Sequence, residues 1–160
     1  MQPLDLAAVP TPVEPAPRLA QAIGLDAGDL WLKRDDLLGL GGGGNKVRKL
    51  RHTCAEALDQ GARALVTTGA AQSNHARLTA AAGARLGLDV ELVLAGTADA
   101  AVTGNLLLDR ILGATIVWAG DVPHEDLEQV AADRVKELTA SGTPAYQVPY
   151  GGSSVVGARG

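Results

Sequence analysis

Two short segments of the 160-residue chain carry side chains that could do chemistry. In the first, residues 39–50 (GLGGGGNKVRKL), four consecutive glycines lead to Lys46 near the start of a predicted helix. The amine of a lysine can form an imine with a carbonyl cofactor, so Lys46 is a candidate nucleophile. A lysine in the first turn of a helix is more often simply solvated, and this segment alone does not decide between the two interpretations.

The glycine run also invites two nucleotide-binding interpretations. A Walker A loop needs lysine directly after the last glycine and then serine or threonine, whereas residues 45–47 are NKV, so this interpretation fails. The dinucleotide pattern Gly-x-Gly-x-x-Gly is matched formally within residues 39–44. Four consecutive glycines fit many patterns, however, and no acidic residue ends a second strand about 20 residues further on. This interpretation is therefore weak.

The second segment, residues 69–75 (GAAQSNH), follows a predicted strand and opens a predicted helix. Open parallel sheets bind their ligands at this end of the strands. Ser73 has an ordinary structural interpretation as the helix N-cap, but capping does not require Asn74 or His75. Together with the N–H groups of the first helical turn, the three side chains would suit a substrate carboxylate. His75 is either buried and hydrogen-bonded or a group that titrates near neutral pH.

Alternating strand and helix patterns predict how these segments are positioned. From residue 45 onward, apolar runs of strand length alternate with helical stretches, which predicts an α/β fold: an open parallel sheet with crossover helices. The predicted helices span residues 45–60, 73–86, 102–112 and 125–140, and the predicted strands span residues 64–68, 90–95, 115–119 and 145–148. A proline-rich arm, expected to form no helix or sheet ladder, comes first, followed by a short helix at 18–23 and a strand-like run at 30–32.

Helical spacing also predicts which faces are buried. Cys54 shares a face with Leu50 and Leu58 and is expected in the core rather than in a reactive site. The helix over 125–140 is expected to cover the sheet with an apolar stripe and to turn its charged residues, Glu128 and Arg134 among them, to water. That helix is therefore predicted to be scaffold.

Composition narrows the partners. The net charge is −4 and the pI is near 5.3, with one short basic run at residues 46–51, so nucleic acid and anionic membranes are not expected partners. No apolar stretch is long enough to cross a bilayer. No cluster of His, Cys and carboxylates has metal-ligand spacing, so no metal site is predicted. A single cysteine and an N-terminus without a leader pattern favour a cytoplasmic location.

Five ordered motifs identify a family resemblance. They are residues 31–36 (WLKRDD), 43–50 (GGNKVRKL), 72–77 (QSNHAR), 104–105 (GN) with 109–114 (DRILGA), and 149–154 (PYGGSS) with 156–158 (VGA). In this order they resemble the D-cysteine desulfhydrases and aminocyclopropane-carboxylate deaminases, which belong to the tryptophan-synthase β class of pyridoxal-phosphate enzymes. Five ordered motifs are far more specific than any one of them.

The resemblance implies a role for each matching residue. Lys46 would hold pyridoxal 5'-phosphate as a Schiff base and move protons in catalysis. Asn45, which precedes the lysine as in the family, would also bind the cofactor, and Asn74 would lie beside the cofactor's ring hydroxyl. Ser73 corresponds to the family's catalytic serine, and with Asn74 and His75 it would bind a small amino-acid substrate. His75 matches the desulfhydrase form of the motif, whereas the deaminase form usually has glutamine. We therefore expect β-elimination from D-cysteine to pyruvate, ammonia and sulfide, with aminocyclopropane-carboxylate deamination as the alternative.

The resemblance extends only to the N-terminal half of the family's fold, so the chain is expected to be a truncated tryptophan-synthase β-like unit. Residues 1–48 would belong to the larger domain and 49–155 would form the smaller α/β domain. Residues 156–160 would begin the return of the chain to the larger domain. The full-length protein would be a homodimer. We expect exposed apolar surface around residues 30–32, where the larger domain lacks its remainder. An inactive fragment that acts as a binding or interaction module is the remaining alternative.

Overall fold

A four-stranded parallel sheet forms the centre of the molecule. The computed structural model describes residues 2–160 apart from the side chain of His124. The strands lie in the order β5-β4-β3-β6, and their bounds are β3 Ala64–Ala70, β4 Asp89–Ala95, β5 Thr115–Trp118 and β6 Ala145–Gln147. All three strand pairs are parallel and the strands are joined through helices. The predicted α/β class with an open parallel sheet is confirmed.

The central strand is apolar because both of its faces are covered. Every residue of β3 except the last is buried, and the strand reads Ala-Leu-Val-Thr-Thr-Gly-Ala without the alternation of a strand that has one wet face. Leu65 lies opposite Val90 of β4 and Tyr146 of β6, which fixes the register of three strands around one position.

Four helices cover the sheet in two layers. The helix bounds are α2 Lys46–Asp59, α3 Asn74–Leu86, α4 Gly104–Ile111 and α5 His124–Ala140. Leu65 and Leu92 face a core built with α2, α3 and α4, whereas Val66 and Val93 face Leu127 on α5. The structure is therefore a three-layer α/β/α arrangement, in which α5 alone packs on one face.

The two ends of α3 follow from local sequence. Ser73 caps its start, and at its end Gly87 adopts φ 70°, the left-handed conformation that glycine reaches without steric cost. The N–H of Gly87 donates to the carbonyl of Gly83, which satisfies one of the last free carbonyls of the helix. This helix is the one that presents residues 73–75.

Helix faces mostly follow the sequence predictions. Leu50 and Cys54 are fully buried, so the prediction that Cys54 is a core residue is confirmed, whereas Leu58 at the end of α2 is 38% exposed. The prediction that Glu128 and Arg134 face water is wrong. Both are half-buried, because Glu128 accepts hydrogen bonds from the ends of β3 and β6 and Arg134 binds both carboxylate oxygens of Glu91 at 2.9 Å.

The N-terminal region forms a separate, smaller sheet. Here β1 (Val13–Pro15) pairs antiparallel with β2 (Trp31–Lys33), and α1 (Pro17–Ala22) lies between them. The expectation that the prolines block every ladder is wrong, because both strands are edges and an edge strand tolerates a missing N–H. Trp31 and Leu32 are 57% and 43% exposed and Leu30 is half-buried, which confirms the expected apolar exposure for the first two.

The part of the chain that the structure describes has neither a membrane-spanning helix nor a cluster of metal ligands. None of the helices there is long and apolar enough to cross a membrane. Within the same part of the chain, no group of three or more His, Cys, Asp or Glu side chains is placed to hold a metal ion.

Candidate active site

A pocket of about 270 Å³ lies beyond the carboxyl ends of β3 and β6. It is lined by Lys46, Ser73, Asn74, His75, Tyr150, Gly151 and Ser153. Four of the five residues predicted for the site are thus brought together from two segments that are distant in sequence. The fifth, Asn45, is exposed and does not line this pocket. A second pocket of about 360 Å³, beside the N-terminal arm, contains none of the predicted residues.

Lys46 is half-buried at the first position of α2, directly after a glycine segment with tight backbone turns. The N–H of Gly43 donates to the carbonyl of Leu40 and that of Gly44 to the carbonyl of Asp35, both at 2.8 Å. Gly43 has φ 75°, and a Cβ on it would lie 2.0 Å from the Asp36 carbonyl oxygen. Only glycine fits at position 43, so the glycine run allows the tight backbone turn that leads to Lys46.

Ser73 serves two purposes. Its Oγ accepts a hydrogen bond from the N–H of Ala76 at 3.2 Å, which confirms the N-cap interpretation, and the residue also lines the pocket. A Cβ on Gly69 would lie 2.8 Å from the Ser73 Cβ, so glycine at the end of β3 allows the serine to sit close to the strand.

The side chain of Asn74 is held in one orientation. Its Oδ1 accepts from Nδ2 of Asn105 at 3.0 Å and from Nη2 of Arg77 at 3.3 Å. Arginine has no acceptor, so the atom that faces Arg77 must be the amide oxygen. The NH2 group of Asn74 is therefore the part of the amide that can donate to a ligand.

His75 is a buried, neutral histidine. Its Nε2 lies 2.9 Å from Oγ1 of Thr67, which itself donates to the carbonyl of Val148 at 2.8 Å, so Nε2 carries the proton and donates. Burial, and then the nearby charges of Lys46 and Lys49, lower the pKa of His75 to about 4 against a smaller opposing effect of the Pro149 carbonyl. Burial and the hydrogen bond to Thr67 favour the buried, hydrogen-bonded interpretation of His75 over titration near neutral pH.

The other imidazole nitrogen of His75, Nδ1, has no hydrogen-bond partner among the described residues. It is buried and carries no proton in this tautomer. A buried acceptor without a donor costs free energy, of the order of 1–3 kcal/mol.

The loop over residues 149–154 also lines the pocket, although its sequence did not predict a site. Nζ of Lys49 donates to the Gly151 carbonyl at 3.2 Å and to Oγ of Ser153 at 3.3 Å. From the opposite side, Glu128 accepts from the N–H of Tyr150 at 3.1 Å. Residues 149–154 were part of a recognised motif, but nothing in their local pattern indicated that Lys49 and Glu128 hold them.

The family model for pyridoxal-phosphate dependent enzymes matches residues 4–159, nearly the whole chain. The chain belongs to this family. The resemblance drawn from the five motifs is confirmed, and so is the dependence of its family on pyridoxal phosphate.

Individual relatives agree with the family match. A putative 1-aminocyclopropane-1-carboxylate deaminase of Pyrococcus abyssi is 42% identical over 151 residues, covering 94% of this chain and 44% of that protein. D-cysteine desulfhydrase of Serratia proteamaculans is 41% identical over 162 residues, covering 98% and 48%. The crystal structure of an ACC deaminase homologue superposes with a TM-score of 0.89 at 39% identity, covering 97% and 46%. The chain spans about half the length of the curated relatives it matches.

Proposed function

We propose that this chain provides the cofactor lysine and the substrate-binding helix of a pyridoxal-phosphate dependent lyase that acts on a small amino acid. The observation that supports the proposal is the single pocket that joins Lys46 to Ser73, Asn74 and His75. A primary amine can form an imine with the cofactor, and a fixed amide donor and a helix N-terminus beside it suit the binding of polar and anionic groups.

The residues of the pocket fit pyridoxal phosphate at its reactive end. When bound, the cofactor supplies an aldehyde carbon for a lysine amine and a ring that withdraws electrons from the substrate. Lys46 provides the amine and accepts or returns a proton at its Nζ. Asn74, whose oxygen is already occupied by two donors, offers its NH2 group to the ring hydroxyl oxygen.

The start of α3 is proposed to hold the substrate. The 13-residue helix presents its positive end and its free N–H groups at the pocket, which suits a carboxylate. The hydroxyl of Ser73 is proposed to carry a proton at the reacting carbon in addition to capping the helix. His75 shapes the wall of the pocket through its hydrogen bond to Thr67.

Among substrates we propose D-cysteine, with pyruvate, ammonia and sulfide as products. His75 supports this choice, because it is the residue of the desulfhydrase form of the motif. The second candidate, 1-aminocyclopropane-1-carboxylate deamination, is supported by the name of the Pyrococcus abyssi relative. Asn45 is proposed to contact the cofactor only after a movement, since it does not line the pocket in this structure.

The remaining features of the whole protein are also proposals. Residues 1–48 are proposed to belong to the larger domain and 49–155 to the smaller one, with 156–160 beginning the return to the larger domain. We further propose a homodimer in the cytoplasm that does not bind nucleic acid.

The cofactor role of Lys46 is tested by spectroscopy on purified protein mixed with pyridoxal phosphate. We expect a visible absorption band of lysine-bound cofactor in the wild type and in the control Lys136→Ala, whose lysine is exposed on α5, and no band in Lys46→Ala. Reduction with borohydride followed by peptide mass mapping should place the cofactor on Lys46. Identical spectra for wild type and Lys46→Ala would overturn the proposal.

The substrate is tested separately on protein that carries the cofactor. We expect pyruvate and sulfide from D-cysteine, and neither product in Lys46→Ala. Release of ammonia and 2-oxobutanoate from 1-aminocyclopropane-1-carboxylate instead would favour the deaminase. Cofactor binding without turnover of either compound would favour the binding-module alternative.

A further inference from the structure

Arg77 connects the two halves of the candidate site, although no step of the proposed reaction uses it. It lies on α3, one turn after Asn74, and is only 7% exposed. Its Nη1 donates to the carbonyl of Gly41, and Nη1 and Nη2 lie 3.4 and 3.3 Å from the carbonyl oxygen of Gly43. Both carbonyls belong to the glycine segment that leads to Lys46.

The same guanidinium also reaches Asn74. Nη2 of Arg77 donates to Oδ1 of Asn74 at 3.3 Å, and this bond is one of the two that turn the amide NH2 toward the ligand side. One side chain therefore touches the backbone before the nucleophilic lysine and the side chain proposed to face the cofactor ring.

The chemistry of these contacts requires arginine rather than any cation. A guanidinium presents five N–H donors in a rigid planar fork, so it can serve several acceptors that lie in different directions. The ammonium of lysine is a single flexible centre and cannot reach all three acceptors at once. The N–H groups of Gly43 and Gly44 already have backbone acceptors, so Arg77 adds what the segment lacks, donors for the carbonyls of Gly41 and Gly43.

Asp109 on α4 is a second buried ionisable group close to the charge of Arg77. It is 1% exposed, and neither carboxylate oxygen has a hydrogen-bond partner among the described residues. Burial is the main effect on both groups: it lowers the pKa of Arg77 and raises the pKa of Asp109, and the attraction between the two charges opposes both shifts. No hydrogen bond joins the two side chains, so the role of Arg77 depends on its contacts with Gly41, Gly43 and Asn74.

We propose that Arg77 is a positioning residue that holds the glycine segment before Lys46 and the amide of Asn74 in register with each other. The inference deepens the proposed function and depends on it for its effect on the cofactor. Without the guanidinium, the carbonyls of Gly41 and Gly43 lose their donor and the Asn74 amide loses one of the two bonds that fix it.

The first test needs no cofactor. Hydrogen exchange of the backbone amides in residues 39–47 is compared in wild type, Arg77→Lys, Arg77→Met and the control Arg85→Met, whose arginine is exposed in the last turn of the same helix. Loss of about one to two hydrogen bonds predicts roughly tenfold faster exchange in Arg77→Met, with Arg77→Lys in between. Exchange in β3 should stay at the wild-type rate in all four proteins.

The second test uses pyridoxal phosphate. We expect Arg77→Lys to bind the cofactor at Lys46 with an affinity lower by roughly tenfold and with a shifted absorption maximum, because the Asn74 amide is no longer fixed. Arg85→Met should match wild type. A change confined to overall stability would leave the absorption maximum in place.

The outcomes separate this inference from the proposed function. If wild-type protein binds no cofactor, the exchange data still decide the positioning role. Wild-type exchange in residues 39–47 of a folded Arg77→Lys protein would overturn it, whatever the cofactor does. Loss of the entire fold in Arg77→Lys would assign Arg77 to general packing and would overturn it as well.

Discussion

The two sheets of this molecule differ in how far they are covered. In the parallel sheet, β3 is buried on both faces by helices, whereas all three residues of β2 in the N-terminal sheet are exposed. A two-stranded sheet of three-residue strands has little stability of its own in water. The folding free energy of the chain should therefore reside in the parallel sheet and its helices.

The candidate site lies where these two regions meet. Ser73, Asn74 and His75 are attached to the well-covered sheet through β3 and α3, but the segment before Lys46 is bonded to the N-terminal region through the carbonyl of Asp35. Lys46 itself begins α2, which packs in the core through the fully buried Val47 and Leu50, so only the segment before Lys46 depends on the less covered N-terminal region. Contacts that join this segment to α3, such as those of Arg77, become important for that reason.

We expect the largest difference in the free energy of unfolding when the same substitution, leucine to alanine, is made in each of the two sheets. Leu65→Ala should lower the free energy of unfolding by about 2–5 kcal/mol, because Leu65 is fully buried in the centre of the parallel sheet. Leu32→Ala should change it by less than about 0.5 kcal/mol, because Leu32 is 43% exposed on β2. Urea unfolding measures both. Equal losses would show that the N-terminal sheet is as strongly coupled to the core as β3.

Two buried groups of the parallel-sheet region, Asp109 and His75, should make the stability of the protein depend on pH. Burial raises the pKa of Asp109 from 3.8 to about 6, so the folded state binds more protons than the unfolded state between these values, and stability falls as pH rises through them. Burial lowers the pKa of His75 from 6.5 to about 4, so its contribution rises with pH over nearly the same interval. The two effects oppose each other in the wild type.

A substitution of either Asp109 or His75 should make the pH dependence caused by the other group measurable. Between pH 4.5 and pH 7, Asp109→Asn should make stability rise more steeply with pH than in wild type, and His75→Gln should make it rise less or fall, each by roughly 1–3 kcal/mol over the interval. Asp36→Asn is the control in the N-terminal region, since Arg34 lowers the pKa of Asp36 and its effect lies below this interval. Thermal unfolding at several pH values measures the slopes. Slopes that match wild type in both variants would contradict the assigned burial.

The parallel sheet was predictable from sequence because its signals are local and repeated. The stretch predicted as helix 45–60 is observed as Lys46–Asp59, and the one predicted as 73–86 as Asn74–Leu86, since a cap and a glycine mark the ends of α3. The meeting of Lys46 with residues 73–75 was also predictable, but only from the combination of motifs. Neither segment alone distinguishes a site from a solvated lysine and an ordinary cap.

What the sequence did not indicate depends on contacts between distant segments. Glu128 has the position of a solvent-facing helical residue, yet it binds Thr68 on β3 and the N–H of Tyr150. The register that brings these groups together is set by the packing of α5 on the sheet, which no local pattern encodes. The same holds for Arg77, whose partners in the glycine segment lie more than thirty residues earlier in the chain.

The smallest expected contrast concerns the starts of the two helices at the site. Ser73 caps α3 through a side-chain hydrogen bond, so Ser73→Ala should lower stability by about 1 kcal/mol. Asn45 stands at the start of α2 in a helical conformation without any side-chain cap bond, so Asn45→Ala should change stability by less than about 0.5 kcal/mol. Urea unfolding of both variants without cofactor makes the comparison. A cost for Asn45→Ala equal to that of Ser73→Ala would mean that Asn45 caps α2 in solution, and the wall beside Lys46 would then be as firmly held as the wall beside Ser73.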